Sequence, residues 1–204
     1  DEDRVDDLLS RMTLVEKLGQ MSQYVGVEHI QKSEKYLSLD EMEAGDAHGI
    51  YPNLHSSKIP ELIERGEVGS FLHVKNPAEA DLLQSHARRS RLGIPLLIGI
   101  DAVHGNGLVR GSTIYPTPLS MASTWNPELV RKANVQTALE MRANGAQWAF
   151  APNIDIARDA RWGRVGETFG EDPHLVSTMG VAVIDGLQQG DFRGETKAIA
   201  TAKH

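Results

Sequence analysis

Helical and strand-like segments alternate regularly from about residue 60 onward, and this alternation constrains the fold more than any other feature. Four apolar segments have the length and bounding residues of buried strands: GSFLHV (69–74), PLLIGIDA (95–102), AFAPNI (149–154) and KAIATAK (197–203). Each follows a segment with helical signals, at 60–65, 77–92, 126–143 and 173–189. Such alternation predicts an α/β fold in which helices cover a parallel sheet.

The residues at the strand ends favour a closed barrel over an open, doubly wound sheet. No GxGxxG motif follows any predicted strand, whereas Asp101 ends one strand, Asp155 follows another, and the last strand ends in Lys203 and His204. Barrel enzymes place their active sites at this end of the strands. We therefore predict a (β/α)8 TIM-barrel type. It is incomplete in this chain of 204 residues, because eight such units take about 250.

The first 57 residues are less regular. Val5, Leu8, Leu9 and Met12 share one face of a predicted first helix, and Thr13 with Glu16 forms the capping box of a second. From Tyr24 to about Ser57 the pattern predicts a long irregular connection. We assign 1–204 to the N-terminal part of one catalytic barrel, with this irregular stretch at about 24–57.

Composition excludes several classes of protein. A net charge of −7 disfavours nucleic acid and anionic membrane surfaces as partners. The absence of cysteine excludes disulfides, thiolate catalysis and cysteine metal sites. No apolar run approaches the roughly 18 residues that span a bilayer, and the acidic start DEDRVDD lacks the basic region of a signal peptide. A neutral or cationic ligand fits best.

GIDAVHGNG (99–107) carries the first candidate site residue, because its strand ends in Asp101 before a glycine-rich turn. An ionised carboxylate there could accept hydrogen bonds from two neighbouring sugar hydroxyls. The alternative is an aspartate that only caps the turn. His104, in the same turn, either contacts the ligand or holds the loop backbone.

RDARWGRVGETFGEDP (158–173) is a loop rich in arginines and acids. Trp162, Val165 and Phe169 could anchor it while the arginines pair with neighbouring acids, which are Asp159, Glu167, Glu171 and Asp172. Arginine forks and an indole face suit saccharides. The alternative is an internal salt-bridge lattice. We expect most of the arginines to be structural and one to reach the ligand.

Histidines elsewhere do not indicate a metal site. The spacings of His29, His48 and His55 match no HxH or HExxH pattern, so we expect solvated histidines and no metal. Lys203 and His204, at a strand exit, could hold one ligand between them.

Five segments together resemble the N-terminal barrel domain of glycoside hydrolase family 3, in the branch of bacterial β-glucosidases and exo-acting β-glucan glucohydrolases. They are RVDDLLSRMTLVEKLGQM, GIPLLIGIDAVHG, YPTPLSMASTWNPELV, APNIDIARDARWGRVGETFGEDPHLVSTMG and the closing AKH. The stretch from Tyr24 to Ser57 matches poorly.

The resemblance implies a sugar-binding role for four residues: Asp101, Arg164, Lys203 and His204. It implies a retaining enzyme whose nucleophile and acid/base residue lie beyond residue 204, in the remaining barrel and a second domain. No catalytic residue is then expected in this segment. Arg158, Arg161 and Trp162 are expected to brace Arg164. The resemblance also implies a periplasmic or secreted protein.

The implied substrates are small β-linked oligosaccharides or aryl and alkyl glucosides, and the implied chemistry needs no cofactor. Four alternatives stay open. Within the family these are a β-N-acetylglucosaminidase, which the full RDARWGR motif disfavours, and a β-xylosidase or arabinosidase. The two alternatives from other functional classes are a catalytically inactive glycan-binding barrel and a metal-dependent hydrolase on a similar barrel.

Overall fold

The computed structural model describes residues 2–36, 54–190 and 194–204. The chain divides into two compact units, Asp1–Ile98 and Gly99–His204. No helix in the described ranges is long and apolar enough to cross a membrane.

The first unit contains five helices and two short parallel strands among its described residues. The helices are α1 (Glu2–Arg11), α2 (Leu14–Gln20), α3 (Val27–Tyr36), α4 (Ile59–Glu64) and α5 (Pro77–Arg89). Strand β1 (Gln23–Val25) pairs in parallel with β2 (Ser70–Leu72), with Tyr24 opposite Phe71. Strand β3 (Leu97–Ile100) begins here, and the Leu97 N–H donates to the carbonyl of Gly69 over 3.0 Å.

The second unit continues the same alternation. Its helices are α6 (Pro118–Ala122), α7 (Pro127–Ala143) and α8 (Pro173–Gln188), and its strands after β3 are β4 (Trp148–Ala149) and β5 (Ile199–Ala200). Strand β4 pairs in parallel with both β3 and β5. These pairings confirm the α/β fold with parallel strands.

Close packing of α7 against α8 depends on Gly186. A Cβ at this position would lie 2.5 Å from the carbonyl oxygen of Arg131 and 2.7 Å from the Cβ of Asn134. Both distances are too short for van der Waals contact, so only glycine allows this approach of the two helices. Around this contact the side chains of Val130, Met179 and Leu187 are buried.

Local capping signals predict the starts of two helices, α2 and α7, correctly. The Thr13 hydroxyl accepts from the Glu16 N–H while the Glu16 carboxylate accepts from the Thr13 N–H, which is the predicted capping box. Asn126 caps α7 through Leu129 N–H, as predicted. The predicted helix α1 is also present, but Val5 is 55% exposed and Leu9 44% exposed.

The irregular stretch predicted for about 24–57 is wrong where the structure describes it. Strand β1, helix α3 and a short 3-10 turn (Ser56–Lys58) lie within or across it, and residues 37–53 lie outside the described residues. Helix α3 lacks a local capping side chain because Gly26 precedes it. The Glu79 carboxylate instead accepts from the N–H groups of Val27 and Glu28, and sequence pattern cannot reveal a cap supplied from another helix.

The strands are shorter than predicted, since β4 covers only Trp148 and Ala149. Pro152 has no N–H to donate, so the regular ladder cannot pass through it unbroken. Beyond Pro152, the segments that follow β4 and β5 are joined by an isolated parallel bridge between Asn153 and Lys203. A helix that the pattern did not predict, α6, is capped by Thr117.

Candidate functional site

Asp101 and Lys203 meet in the second unit, at the ends of two parallel strands. Asp101 directly follows β3, and Lys203 lies three residues beyond β5. The Lys203 ammonium donates to Asp101 Oδ1 over 2.6 Å, with 16% and 38% of the two side chains exposed. The predicted strand-end position of both residues is therefore confirmed, and the carboxylate lies where solvent can reach it.

Arg164 belongs to the loop that follows β4, which we call the arginine-rich loop (158–170). Its Nε and Nη2 atoms donate to the two oxygens of Glu167 over 2.8 and 2.7 Å, a bidentate ion pair. The hydrogen bonds from Arg164 are the largest cause that lowers the pKa of Glu167. The same contact raises the pKa of Arg164, and Asp155 and Asp101 raise it further through their charges. Glu167 is therefore ionised at neutral pH.

His204 completes the cluster. Its Nε2 atom lies 2.8 Å from Nη2 of Arg164. A guanidinium has only donors, so Nε2 must accept and the ring proton resides on Nδ1. Asp101, Arg164, Lys203 and His204, which we call the strand-exit cluster, are thus linked by an ion pair, a hydrogen bond and one peptide bond.

A hydrogen bond between Asn153 and Glu167, next to the cluster, was not predicted. The Asn153 Nδ2 group donates to Glu167 Oε2 over 2.8 Å, and Asn153 is only 2% exposed. From the sequence, Glu167 is only one of four acids that could pair with an arginine, and Asn153 has no predicted role. The available signal was a polar residue inside the otherwise apolar strand predicted for 149–154, but an asparagine there equally fits an ordinary turn.

Two buried acceptor atoms that lack hydrogen-bond partners in the described part of the chain lie a few residues after β4. They are Asn153 Oδ1 and Asp155 Oδ2, neither of which has a hydrogen-bond partner within the described part of the chain. Unsatisfied buried polar atoms are rare in folded proteins. Asp155, predicted only to follow a strand, raises the pKa of Arg164 through its charge.

The anchors of the arginine-rich loop differ in part from those predicted. Phe169 is 1% exposed and serves as predicted, but Trp162 is 37% exposed, so its role as a buried anchor is not supported. Arg161 pairs with Asp159 on the surface at 2.6 Å, consistent with a structural rather than a ligand-binding arginine. Arg158 is also exposed.

His104 holds loop backbone. Its Nδ1 atom lies 2.9 Å from the carbonyl oxygen of Tyr115, and the Tyr115 N–H donates back to the His104 carbonyl over 2.9 Å. Of its two predicted roles, the structure therefore supports backbone positioning.

The histidines of the first unit do not form a metal site among the described residues. His29 is not simply solvated as predicted, because its Nε2 atom is buried and has no hydrogen-bond partner in the described part of the chain, and its ring lies 6.2 Å from that of His73. Burial is the largest cause that lowers the pKa of His29. His55 lies 3.7 Å from Glu34, and His48 lies outside the described residues.

The strand-exit cluster offers one carboxylate acceptor and several donors on a partly exposed surface. A separate apolar groove of about 440 Å³ in the second unit is lined by Tyr115, Met121, Leu129 and Val130 among others, and contains none of the cluster. Polyhydroxylated ligands need paired acceptors and donors, so the cluster suits them better than the groove does.

Comparison with protein families and curated proteins gives one consistent result. The family model for the "Glycosyl hydrolase family 3 N terminal domain" matches residues 13–204. The periplasmic β-glucosidase of Salmonella typhimurium is 30% identical over 201 residues, covering 98% of this chain and 22% of that protein. A β-xylosidase of Formosa agariphila is 48% identical over 132 residues, covering 61% of this chain and 18% of that protein.

Solved structures agree. A mutant β-glucosidase from Listeria innocua, in complex with laminaribiose, superposes with a TM-score of 0.77 at 32% identity, covering 100% of this chain and 26% of that one. A β-glucosidase involved in saponin metabolism from intestinal bacteria gives 0.72 at 37% identity, covering 97% and 23%. The resemblance and the barrel-type fold are thereby confirmed, and the chain spans about a quarter of the length of these two structures.

Proposed function

The chain belongs to glycosyl hydrolase family 3, and on this premise we propose that the full-length protein is a retaining, exo-acting β-glycosidase. It removes terminal β-D-glucosyl residues from β-glucosides or short β-glucan oligosaccharides. This segment supplies the subsite that holds the terminal sugar. The observation that carries the proposal is the linkage of Asp101 to Lys203 and of Arg164 to His204 at the strand exits.

The chemistry of the strand-exit cluster suits a pyranose ring. The Asp101 carboxylate accepts from sugar hydroxyls more strongly than a neutral group can, and the Lys203 ammonium beside it donates to the same or the next hydroxyl. The hydrogen bonds of Arg164 to Glu167 and His204 use its Nε and Nη2 groups. Its Nη1 group donates no hydrogen bond in the described residues, so it is available to a ligand. The cluster therefore combines both hydrogen-bonding senses within one small area.

The reaction that we propose proceeds by double displacement. A carboxylate attacks the anomeric carbon and forms a glycosyl-enzyme while a second carboxyl group protonates the leaving oxygen, and that group then activates water. Both groups are proposed to lie beyond residue 204, in the remaining barrel and a second domain. Hydrogen bonds from this segment that strengthen as the ring distorts contribute to catalysis as well as to affinity.

A β-xylosidase is the second candidate, because the relative with the highest identity among those described above carries that name. Glucosides and xylosides differ by the hydroxymethyl group of the ring. The choice between them depends on whether the pocket wall accepts that group.

The test uses the full-length protein with 4-nitrophenyl β-D-glucoside, β-D-xyloside and β-N-acetylglucosaminide, and proton NMR of the first sugar released. We expect hydrolysis of the glucoside with a β-configured product. Preference for the xyloside would favour the second candidate. Glucose binding without hydrolysis of any of the three would instead indicate an inactive glycan-binding barrel, and activity lost to a chelator and restored by zinc would indicate a metal-dependent hydrolase.

A further inference from the structure

Glu167 connects the arginine that we place in the sugar subsite to the strand behind it. Both of its oxygens accept from Arg164, and Oε2 also accepts from Asn153 Nδ2 over 2.8 Å. One carboxylate therefore fixes both the Nε and the Nη2 groups of Arg164, and Asn153 in turn holds that carboxylate.

Asn153 fixes this carboxylate relative to Lys203. Its backbone bridges that of Lys203 in parallel, the neighbouring Ile154 N–H donates to the Lys203 carbonyl over 2.8 Å, and the Lys203 N–H donates to the Pro152 carbonyl over 3.1 Å. Asn153 thus has two contacts with this region. Its backbone pairs with the segment that carries Lys203 and His204, and its side chain donates to Glu167, which orients Arg164.

The side chain of Asn153 has one hydrogen-bond partner in the described part of the chain, the Glu167 carboxylate. Its Oδ1 atom is buried and accepts no hydrogen bond in the described part of the chain. An apolar residue of similar size could not donate to Glu167. The retained amide donor toward Glu167 accounts for an asparagine at this position.

We propose that Asn153 and Glu167 form a positioning pair that holds Arg164 in register with Lys203 and His204. The pair touches no substrate and acts only through Arg164. This inference rests on the proposed function, because it assigns Arg164 to the sugar subsite. Its physical basis is that a guanidinium recognises paired oxygens only when its plane is aligned, and Glu167 sets that plane.

The test measures kcat/KM for 4-nitrophenyl β-D-glucoside, the inhibition constant of glucose and the thermal midpoint, all with the full-length protein. Glu167→Gln replaces one acceptor oxygen by a donor that faces the guanidinium. Asn153→Asp keeps the volume but sets a carboxylate against Glu167. The matched control is Asp159→Asn, which breaks an arginine–carboxylate pair of the same loop that is fully on the surface.

We expect Glu167→Gln and Asn153→Asp to lower kcat/KM and weaken glucose inhibition by about tenfold or more, while Asp159→Asn changes neither. The thermal midpoint of Glu167→Gln should match that of Asp159→Asn. Because the pair acts through Arg164, adding Glu167→Gln to Arg164→Ala should cost nothing beyond Arg164→Ala alone. Additive losses, or a Glu167→Gln variant with wild-type kinetics, would overturn the proposal.

The same data separate this inference from the proposed function. If Arg164→Ala left both kcat/KM and glucose inhibition unchanged, the assignment of the sugar subsite would fail. If Arg164→Ala lowered them and Glu167→Gln did not, only the positioning role would fail. Should Asn153→Asp not fold, Glu167→Gln and the double variant decide the question, because Glu167 is partly exposed.

Discussion

The ammonium of Lys203 lies 2.6 Å from Oδ1 of Asp101, although 102 residues separate them in the chain. In Asp101→Asn this ammonium, largely shielded from solvent, faces a neutral amide and the site loses its charged acceptor. We expect kcat/KM for a β-glucoside to fall about 10- to 100-fold, because a hydrogen bond to a charged group contributes about 1.5–3 kcal/mol. Steady-state kinetics of the folded full-length variant checks this, and near-normal kinetics would refute the assignment.

Arg164 and Arg161 give a matched comparison within the arginine-rich loop. Arg164→Lys loses the planar fork that aligns with Glu167 and reaches His204, whereas the Arg161 side chain is 91% exposed and contacts only Asp159 in the described structure. We therefore expect Arg164→Lys to weaken inhibition by glucose and Arg161→Lys to leave it unchanged. Equal effects of the two substitutions on the inhibition constant would contradict the separate roles given to these arginines.

Phe169, rather than Trp162, anchors the arginine-rich loop. Phe169→Ala should lower stability by about 3–5 kcal/mol, the usual cost of removing a fully buried phenylalanine, because Phe169 is 1% exposed. Trp162→Ala should lower the thermal midpoint much less, since that side chain is 37% exposed. Differential scanning calorimetry of both variants distinguishes them, and a larger loss for Trp162→Ala would restore the tryptophan as the anchor.

Glu16 makes the stability of the first unit depend on pH. Hydrogen bonds from Arg91 are the largest cause that lowers the pKa of this carboxyl from 4.5 to about 2. The folded state therefore binds fewer protons than the unfolded state between these values, so the contribution is complete above about pH 4.5 and is lost as the pH falls toward 2.

Replacement by glutamine removes this contribution at every pH. The thermal midpoint of Glu16→Gln should therefore lie below that of the wild type at neutral pH, and the difference should shrink as the pH is lowered through the window. Thermal unfolding measured from neutral to acid pH tests this, with Asp81→Asn on the exposed side of α5 as a control. A difference that is independent of pH would contradict the role of the Glu16–Arg91 pair.

Local signals explain which parts of the fold were predictable. Thr13 with Glu16, and Asn126 with Pro127, mark helix starts through contacts within three or four residues, and the structure reproduces them. Helix α3 was missed because its cap is Glu79, 52 residues from Val27. A pattern read along the chain contains no information about such a contact.

The same distinction applies to the strand-exit cluster. Strand-end position was enough to select Asp101, Lys203 and His204 as candidates, because parallel strands bring their carboxyl ends to one edge. Composition could not show which acid holds Arg164. Nor could it show that Asn153 is buried rather than part of an ordinary turn.

The sequence by itself determined the alternation of helices and strands after about residue 60, the capping of α2 and α7, the family, and the residues that we propose for a sugar subsite. These follow from periodicity, from contacts within one helical turn and from motifs that lie contiguous in the chain. Only the tertiary structure decided the pairing of Lys203 with Asp101, the choice of Glu167 over the neighbouring acids, and the burial of Phe169 instead of Trp162. These outcomes depend on contacts between distant segments, on the conformation that the loop adopts, or on how much water the fold excludes. None of these is set until the strands and helices have packed.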